Sequence, residues 1–422
     1  MPASGRPLFR LPTLLRTGPF RRYWAGRTTS LVGGQISSVA FPLTAVLVLH
    51  ANAAIMGLVT AAGMSPSLFF SMVAGAWLDR YGHRRRVMIW ADIARALLWG
   101  SIPLAYALGD LSLLQLVLVS FVGGTFGVLS RLASATVFVS VVPSEQYVEA
   151  SALIETGEAG AWLVGPSLAG LLVEWFAAPL ALLADAASFT ASAWSLGGLA
   201  IAEPAPATPE RGHAMAGLQF VRRHPILKAT LLASSTLSLF RGVYLALYVL
   251  YVVTRLHVTP LELGIILGPG SIGALWGATI ARRFTERLGI GRSLIWSTLL
   301  HTVPLILVPL AWGPHWFVVA LLLLAECFSG MGLMIQQVGD RAIMAAAIPD
   351  PLRARVNGAF SFFTRGIRPL GALLGGAVAA AVGLHWVMWV VTLGAITSVL
   401  WLIWSPLAHA QTIDRLSTSP PA

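Results

Sequence analysis

Gly75-Ala-Trp-Leu-Asp79-Arg80-Tyr-Gly82-His83-Arg84-Arg85-Arg86 is a dense charged turn set between two long apolar runs, 56–78 and 87–108. A run of about 20 residues rises about 30 Å as a helix, the thickness of a bilayer's hydrocarbon. The turn therefore belongs between two membrane helices. Working outward, hydrophobic residues make up 56% of the 422 positions and charged ones 11%, with a mean hydropathy of +0.77. Soluble globular domains do not reach that balance. Apolar windows begin near Gly26, Met56, Val87, Leu111, Val148 and Pro179, and resume after a polar interval near Ile226, Leu261, Ser293, Pro314, Val356 and Leu384. The expected fold is an all-α membrane protein of twelve transmembrane helices, six plus six.

The division that follows is 1–201 for an N-terminal arm and the first six spans, 202–227 for a linker, 228–409 for the second six and 410–422 for a tail. The arm carries Arg6, Arg10 and Arg16 without the apolar run of a signal peptide. The linker holds Pro204, Pro206 and Pro209, then Arg222, Arg223 and His224. It reads as ending in a short amphipathic helix with Leu218, Phe220 and Val221 on the bilayer surface. Basic residues stay on the cytoplasmic side. With both termini inside, the inner loops collect Arg80, Arg84, Arg85, Arg86, the linker cluster, Arg282, Arg283, Arg287, Arg292, Arg353 and Arg355, whereas the outer loops hold Arg255 alone. The net charge of +11 is thus spread over short inner loops, which suits anionic lipid and argues against a nucleic-acid partner.

Lys228 is the single lysine and follows no glycine-rich phosphate loop, so a P-loop ATPase is excluded. Cys327 is the only cysteine, which excludes a disulfide framework and a cysteine-based zinc site. Neither a metal nor a cofactor is expected. An integral membrane enzyme such as a prenyltransferase would need Asp-rich metal motifs or His-Glu-x-x-His, and the chain has neither. A weak internal repeat supports two halves. Val142-Pro143-Ser-Glu145, followed by a small-residue span ending Gly165-Pro166-Ser-Leu-Ala-Gly170, echoes Ile348-Pro349-Asp350, followed by Arg368-Pro369-Leu-Gly371-Ala-Leu-Leu-Gly375-Gly376. Parallel repeats of this kind place a substrate between the halves.

The spacing G-x-x-x-D-R-x-G-x-R-R resembles the loop between helices 2 and 3 of the major facilitator superfamily. Together with Asp92 and Arg95, the segment Pro349-Asp-Pro-Leu-Arg353-Ala-Arg355-Val-Asn357-Gly358, and Gly217-Leu-Gln-Phe-Val-Arg222-Arg223-His224-Pro225, it resembles the branch containing macrolide efflux proteins and the enterobactin exporter. That resemblance runs over most of residues 20–405. It implies two pseudo-repeated halves, a monomer, and a conformational latch at Gly75, Asp79, Arg80, Gly82, Arg84 and Arg85 that holds the cytoplasmic side shut. On the residues alone, the alternative is a loop whose charges only anchor the topology. Gly75 is read as a close-approach position and Gly82 as the turn itself.

Asp92 and Arg95, three apart on one helix face, read with Arg353 and Arg355 as an inner gate. Gly157, Gly160, Gly165, Pro166 and Gly170 resemble the glycine-proline motif of antiporters, with Ala161 and Ala169 where that motif prefers glycine; ordinary helix packing explains them equally well. At Gly165 and Gly170 the demand is expected to be close helix approach, met by alanine better than by leucine. Charges inside spans cost at least about 2.5 kcal/mol each, so Glu326 and Arg241 at mid-span are candidates for proton or substrate handling, or a structural ion pair. Glu155 and Glu158, one turn apart, are further proton candidates. Asp185 reads as a structural pairing group and Arg131 is left open. Trp24, Trp175, Trp312, Trp316, Trp386 and Trp404 fall near span ends as interfacial anchors, while Trp99, Trp162 and Trp276 lie deeper.

The combined expectation is a secondary exporter of a moderately hydrophobic small molecule, a drug, antibiotic or metabolite, working by alternating access and proton antiport. Siderophore export, and a transport-dead sensor or scaffold, are the alternatives. The arginine-rich, lysine-poor composition suggests a bacterial inner membrane.

Overall fold

The computed structural model describes residues 13–199 and 214–409, without the side chains of residues 13, 71–73, 76, 79, 214–216, 351, 354 and 409. Most of the expected arm, linker and tail, and the carboxylate of Asp79, therefore lie outside the described residues.

Twelve helical passes run through the described chain. They are α1 (Gly18–Val48), α2 (Ala53–Phe69 continued by Ser71–Tyr81), α3 (Arg84–Leu108), α4 (Leu113–Val141), α5 (Tyr147–Phe176), α6 (Ala178–Gly197), α7 (Pro225–Thr254), α8 (Pro260–Leu288), α9 (Ile290–Leu310), α10 (His315–Ala347), α11 (Asp350–Val382) and α12 (Leu384–Ile403). Nine of these stretches are long and apolar enough by themselves to cross a membrane. The other three carry the exceptions: α2 breaks at Phe70, α6 is short and rich in serine and alanine, and α11 contains Arg353, Arg355, Arg365 and Arg368.

Local chemistry sets the ends. Asn52 and Ser112 accept from the backbone N–H groups of Ile55 and Gln115, capping α2 and α4. Thr259 and Glu262 form a reciprocal capping box on α8. Gly82 closes α2 at φ +77°, a conformation that costs any residue with a β-carbon. Helix pairing repeats with a shift of six: α1 packs on α5 and α6 as α7 packs on α11 and α12, α2 on α4 as α8 on α10, and α3 on α4 and α6 as α9 on α10 and α12. The halves meet through α2 against α11 and α5 against α8, a symmetric pair of contacts.

The two ends of the bundle are built differently. At the end away from the described termini, one apolar core spans both halves and includes Met56, Ala169, Leu247, Leu263 and Ala372. At the terminal end the cores are separate. Tyr23, Leu78, Val87 and Val137 serve the first half, and Ile226, Leu294, Ile343, Val356 and Leu407 the second. The molecule is thus sealed at the far end and parted at the terminal end.

The linker helix Ala214–Arg223 corrects one expectation. Val221 is 1% exposed within the second half's core beside Ile226 and Leu227, and Gly217 lies against the backbone of Arg355. The helix turns Val221 into protein rather than onto lipid, since α11 and α7 offer it a packing surface.

Candidate functional site

A cavity of about 720 Å³ lies between the halves. Phe41 of α1, Met56 and Met64 of α2 and Trp99 of α3 supply its apolar wall, with Trp99 edge-on to Phe41 at 4.9 Å between ring centroids. Gly123, Gly124 and Gly127 flatten the α4 wall, while Arg95, Arg131, Asp185, Arg365 and Arg368 provide the charge. Apolar walls with a few convergent polar groups are the usual build of a small-molecule site.

On the first half, α3 and α6 hold a polar core. Ser192 Oγ donates to Asp92 Oδ2 at 2.7 Å, and Ser188 Oγ lies 3.1 Å from Asp185 Oδ1. The Arg95 guanidinium stacks on the Phe189 ring at 3.8 Å and lies in the fields of Asp185 and Asp92. Asp185 and Asp92 are 1% and 2% exposed. Gly33 of α1 leaves room for this group, because a β-carbon there would sit 2.7 Å from Asp185 Oδ1. The structure thus places Asp92 and Arg95 against α6, within one half. Arg353 is paired with Asp350 one turn away at 2.8 Å, and Arg355 is exposed on α11. The four residues expected to form an inner gate are not brought together.

On the second half, the Tyr244 hydroxyl donates to Glu326 Oε1 at 3.1 Å and its ring stacks on Tyr248 at 4.8 Å. His301 Nδ1 lies 2.9 Å from the hydroxyl of Ser329, one turn beyond Glu326. Arg241 shares this group's field with Glu326; among the described residues the two make no ion pair within 4.0 Å. Tyrosine, rather than arginine, is the direct partner of the carboxylate. Neither Glu326 nor Arg241 bounds the cavity, although α7 at Gly242 packs tightly on the backbone of Arg368, which does.

The charged turn caps a helix. Arg85 Nε donates to the Leu196 carbonyl at 2.9 Å and Nη2 to that of Gly197 at 2.6 Å. Arg22 reaches the Gly198 carbonyl. These carbonyls end α6, where cations complement the helix dipole. Arg84 is buried, Arg80 is exposed, and a β-carbon at Gly75 would meet nothing within 4 Å. In this conformation, with the terminal end parted, no neighbour closes on Gly75. In α5, Gly157 lies against Thr28, Gly165 against the Gln35 β-carbon, and Gly170 against α8, where an added β-carbon would sit 2.5 Å from the Pro260 carbonyl oxygen. Gly160 faces open space, and Pro166 is buried beside Gly264 of α8. Glu155 is exposed and Glu158 half-buried.

Sequence reasoning passed over Arg365, Arg368, Tyr244, Ser192 and His301. The two arginines are three apart inside an apolar stretch, so the rule that singled out Arg241 also applies to them. The serines and Tyr244 carry no such signal. Trp162 and Trp276, at 50% and 67% exposed, face outward, whereas Trp99 lines the cavity.

Comparison with known proteins agrees with this architecture. Residues 23–367 match the family model described as the Major Facilitator Superfamily. The multidrug efflux pump Tap of Mycolicibacterium fortuitum is 26% identical over 395 residues, spanning 88% of this chain and 92% of that protein. A bacterial homologue of the iron transporter ferroportin in its inward-facing state aligns with a TM-score of 0.74 at 16% identity, over 93% of this chain and 99% of that one. The nucleoside transporter NupG aligns with a TM-score of 0.70 at 15% identity, over 92% and 98%. Together with the twelve passes, the six-shifted pairing and the cavity between halves, the family match establishes that this chain belongs to the major facilitator superfamily and is a multi-pass membrane transporter, not an enzyme.

Proposed function

We propose that the protein exports moderately hydrophobic small molecules from the cytoplasm, as a proton-coupled monomer in a bacterial cytoplasmic membrane with both termini inside. The observation that carries this reading is the cavity of about 720 Å³, walled by Phe41, Trp99 and methionines and lying between halves sealed only at the far end. Kinship with Tap, whose name is that of a multidrug efflux pump, points the same way.

In that orientation the parted end faces the cytoplasm and a compound enters the cavity from inside. Closing the terminal end and opening the α2/α11 and α5/α8 contacts then releases it outside. Glu326 is the foremost proton carrier in this reading, because its direct partner is a neutral hydroxyl, which can stay hydrogen-bonded to the carboxyl in either protonation state. Asp92, on Ser192, is the next. Asp79, Arg80, Arg84 and Arg85 act as the latch of the closed terminal end, and inner-leaflet anionic lipid engages the loop arginines.

Proteoliposomes loaded with a panel of fluorescent amphiphiles test this directly. Directional flux that grows with an imposed pH gradient supports the proposal. Flux indifferent to the gradient removes proton coupling, and no flux for any compound favours a sensor or scaffold.

A further inference from the structure

We infer that the cavity contains an anion subsite formed by Arg131, Arg365 and Arg368, and that the transported compound carries a carboxylate, sulfonate or phosphate on an apolar body. This rests on the export reading for the direction of movement only; the binding chemistry stands on the cavity itself.

Five charged side chains line the cavity, four arginines and Asp185. Asp185 and Asp92 act on Arg95, so that arginine is compensated within the first half. Behind the opposite wall, Glu326 similarly acts on Arg241. Among the described residues, no carboxylate is left for the remaining three. The charge acting on Arg131 is that of Arg365, and the charges acting on Arg368 are those of Arg241 and Arg365. Among the described residues, Arg131, Arg365 and Arg368 donate no hydrogen bond, and the Arg368 Nε is buried without a partner. Three guanidinium groups that line one cavity with unused donors match an oxyanion in charge and hydrogen-bonding capacity. The neighbouring Trp99 and Phe41 pair takes an apolar body.

Placement adds a mechanism. Arg131 belongs to α4 of the first half, whereas Arg365 and Arg368 lie three apart on α11 of the second. Their mutual repulsion opposes drawing the halves together over an empty cavity. A bound anion removes that repulsion, so the occluded state is favoured only when loaded, the differential affinity that coupling requires.

The test compares three probes sharing one ring system: 1-naphthyl phosphate, 1-naphthoate and 1-naphthylmethylammonium. Each is titrated by calorimetry into the protein in phosphatidylcholine nanodiscs, with empty nanodiscs as blank. Both anions should bind at least tenfold more tightly than the ammonium, and raised salt should narrow that gap. Arg131→Gln, Arg365→Gln and Arg368→Gln should each weaken 1-naphthyl phosphate tenfold or more and leave the ammonium unchanged or improved. Arg365→Lys, which keeps the charge, should retain most of the preference and covers a glutamine variant that fails to fold. Repeating the titration in discs with phosphatidylglycerol separates the anion's source. Competition by that lipid makes the occupant a headgroup phosphate, and indifference makes it a soluble compound. Equal affinity for the three probes, or anion binding unmoved in the folded glutamine variants, overturns the proposal. Anion-selective binding without flux would leave the subsite standing and defeat the export reading instead.

Discussion

The far end of the bundle is closed by backbone meeting backbone, and the terminal end is furnished with charge. At the far end, an added β-carbon at Gly57 would sit 2.5 Å from the Ala372 carbonyl oxygen, and one at Gly170 would sit 2.5 Å from that of Pro260. At the terminal end, Arg85 and Arg22 clasp the last carbonyls of α6 inside the first half, while Arg353 clasps Asp350 inside the second. The far seal is therefore shape-matched and intolerant of added atoms. These three arginines bond within their own half and can re-pair when the halves approach. Small residues suit a seal within hydrocarbon, where close packing rather than the hydrophobic effect holds helices together.

The largest expected effect comes from breaking the seal. Gly170→Leu and Gly57→Leu drive a side chain into the facing backbone, and such overpacking typically costs about 1–3 kcal/mol. Flux should fall below a tenth of the wild-type level, and engineered cysteines at the far end should label faster. Even Gly170→Ala should impair transport, because its first clash is with a backbone oxygen. Alanine should still do less harm there than leucine, as the sequence leads one to expect, without being neutral. Wild-type flux in all three variants would show that the seal opens too readily to matter.

Next in size is Glu326→Gln. If this carboxyl carries the proton, pH-driven flux is abolished while substrate binding and downhill exchange persist. The Tyr244 hydroxyl can donate to the amide oxygen as it does to Glu326 Oε1. Tyr244→Phe, which strands the carboxylate, should lower thermal stability by about 1–3 kcal/mol. Undiminished pH-driven flux in Glu326→Gln moves the search to Asp92, Glu155 and Glu158.

How much was legible follows from these same residues. The apolar runs and the charged turn at 75–86 carry the fold because membrane insertion is written in length and hydropathy, both local properties of the chain. Val221 was misplaced for the opposite reason: an amphipathic helix looks the same whether its apolar face meets lipid or protein. Arg241 and Glu326 were found by their cost in hydrocarbon, yet their separation and the intervening Tyr244 depend on how α7 and α10 pack. Asp92 and Arg95 share a helix face as their spacing requires, but which helix that face meets is a tertiary fact. Pairing with Ser192 and Phe189 across about 100 residues of chain leaves no mark in sequence spacing.

A smaller, directional effect is expected at the terminal end. Asp79→Asn keeps shape and removes charge, so insertion should survive while flux drops several-fold and labelling of terminal-end cysteines rises. Arg85→Gln should instead lower stability, since it withdraws charge-assisted bonds from the end of α6, worth about 1.5–3 kcal/mol where buried and less at this partly exposed site. A matched stability loss with normal labelling in both variants would reduce the turn to an anchor.

The smallest effect sharpens the comparison most. Gly75 and Gly160 belong to the same glycine motifs as Gly82 and Gly170, yet a β-carbon at either would meet no atom within 4 Å, and neither holds a positive φ. Alanine at such a helical position removes unfolded-chain freedom and adds no clash, a gain of about 0.5–1 kcal/mol. Gly75→Ala and Gly160→Ala should thus keep wild-type flux and melt slightly higher, while Gly170→Ala fails. These positions could still be needed in the state with the terminal end shut, where α2 and α5 would meet new neighbours. In that event Gly75→Ala or Gly160→Ala would fold and bind normally but lose flux, and cysteine labelling would find the terminal end held open. Flux and labelling measured together on these two variants therefore decide whether the motif glycines serve only the observed packing or also the closure that has to follow it.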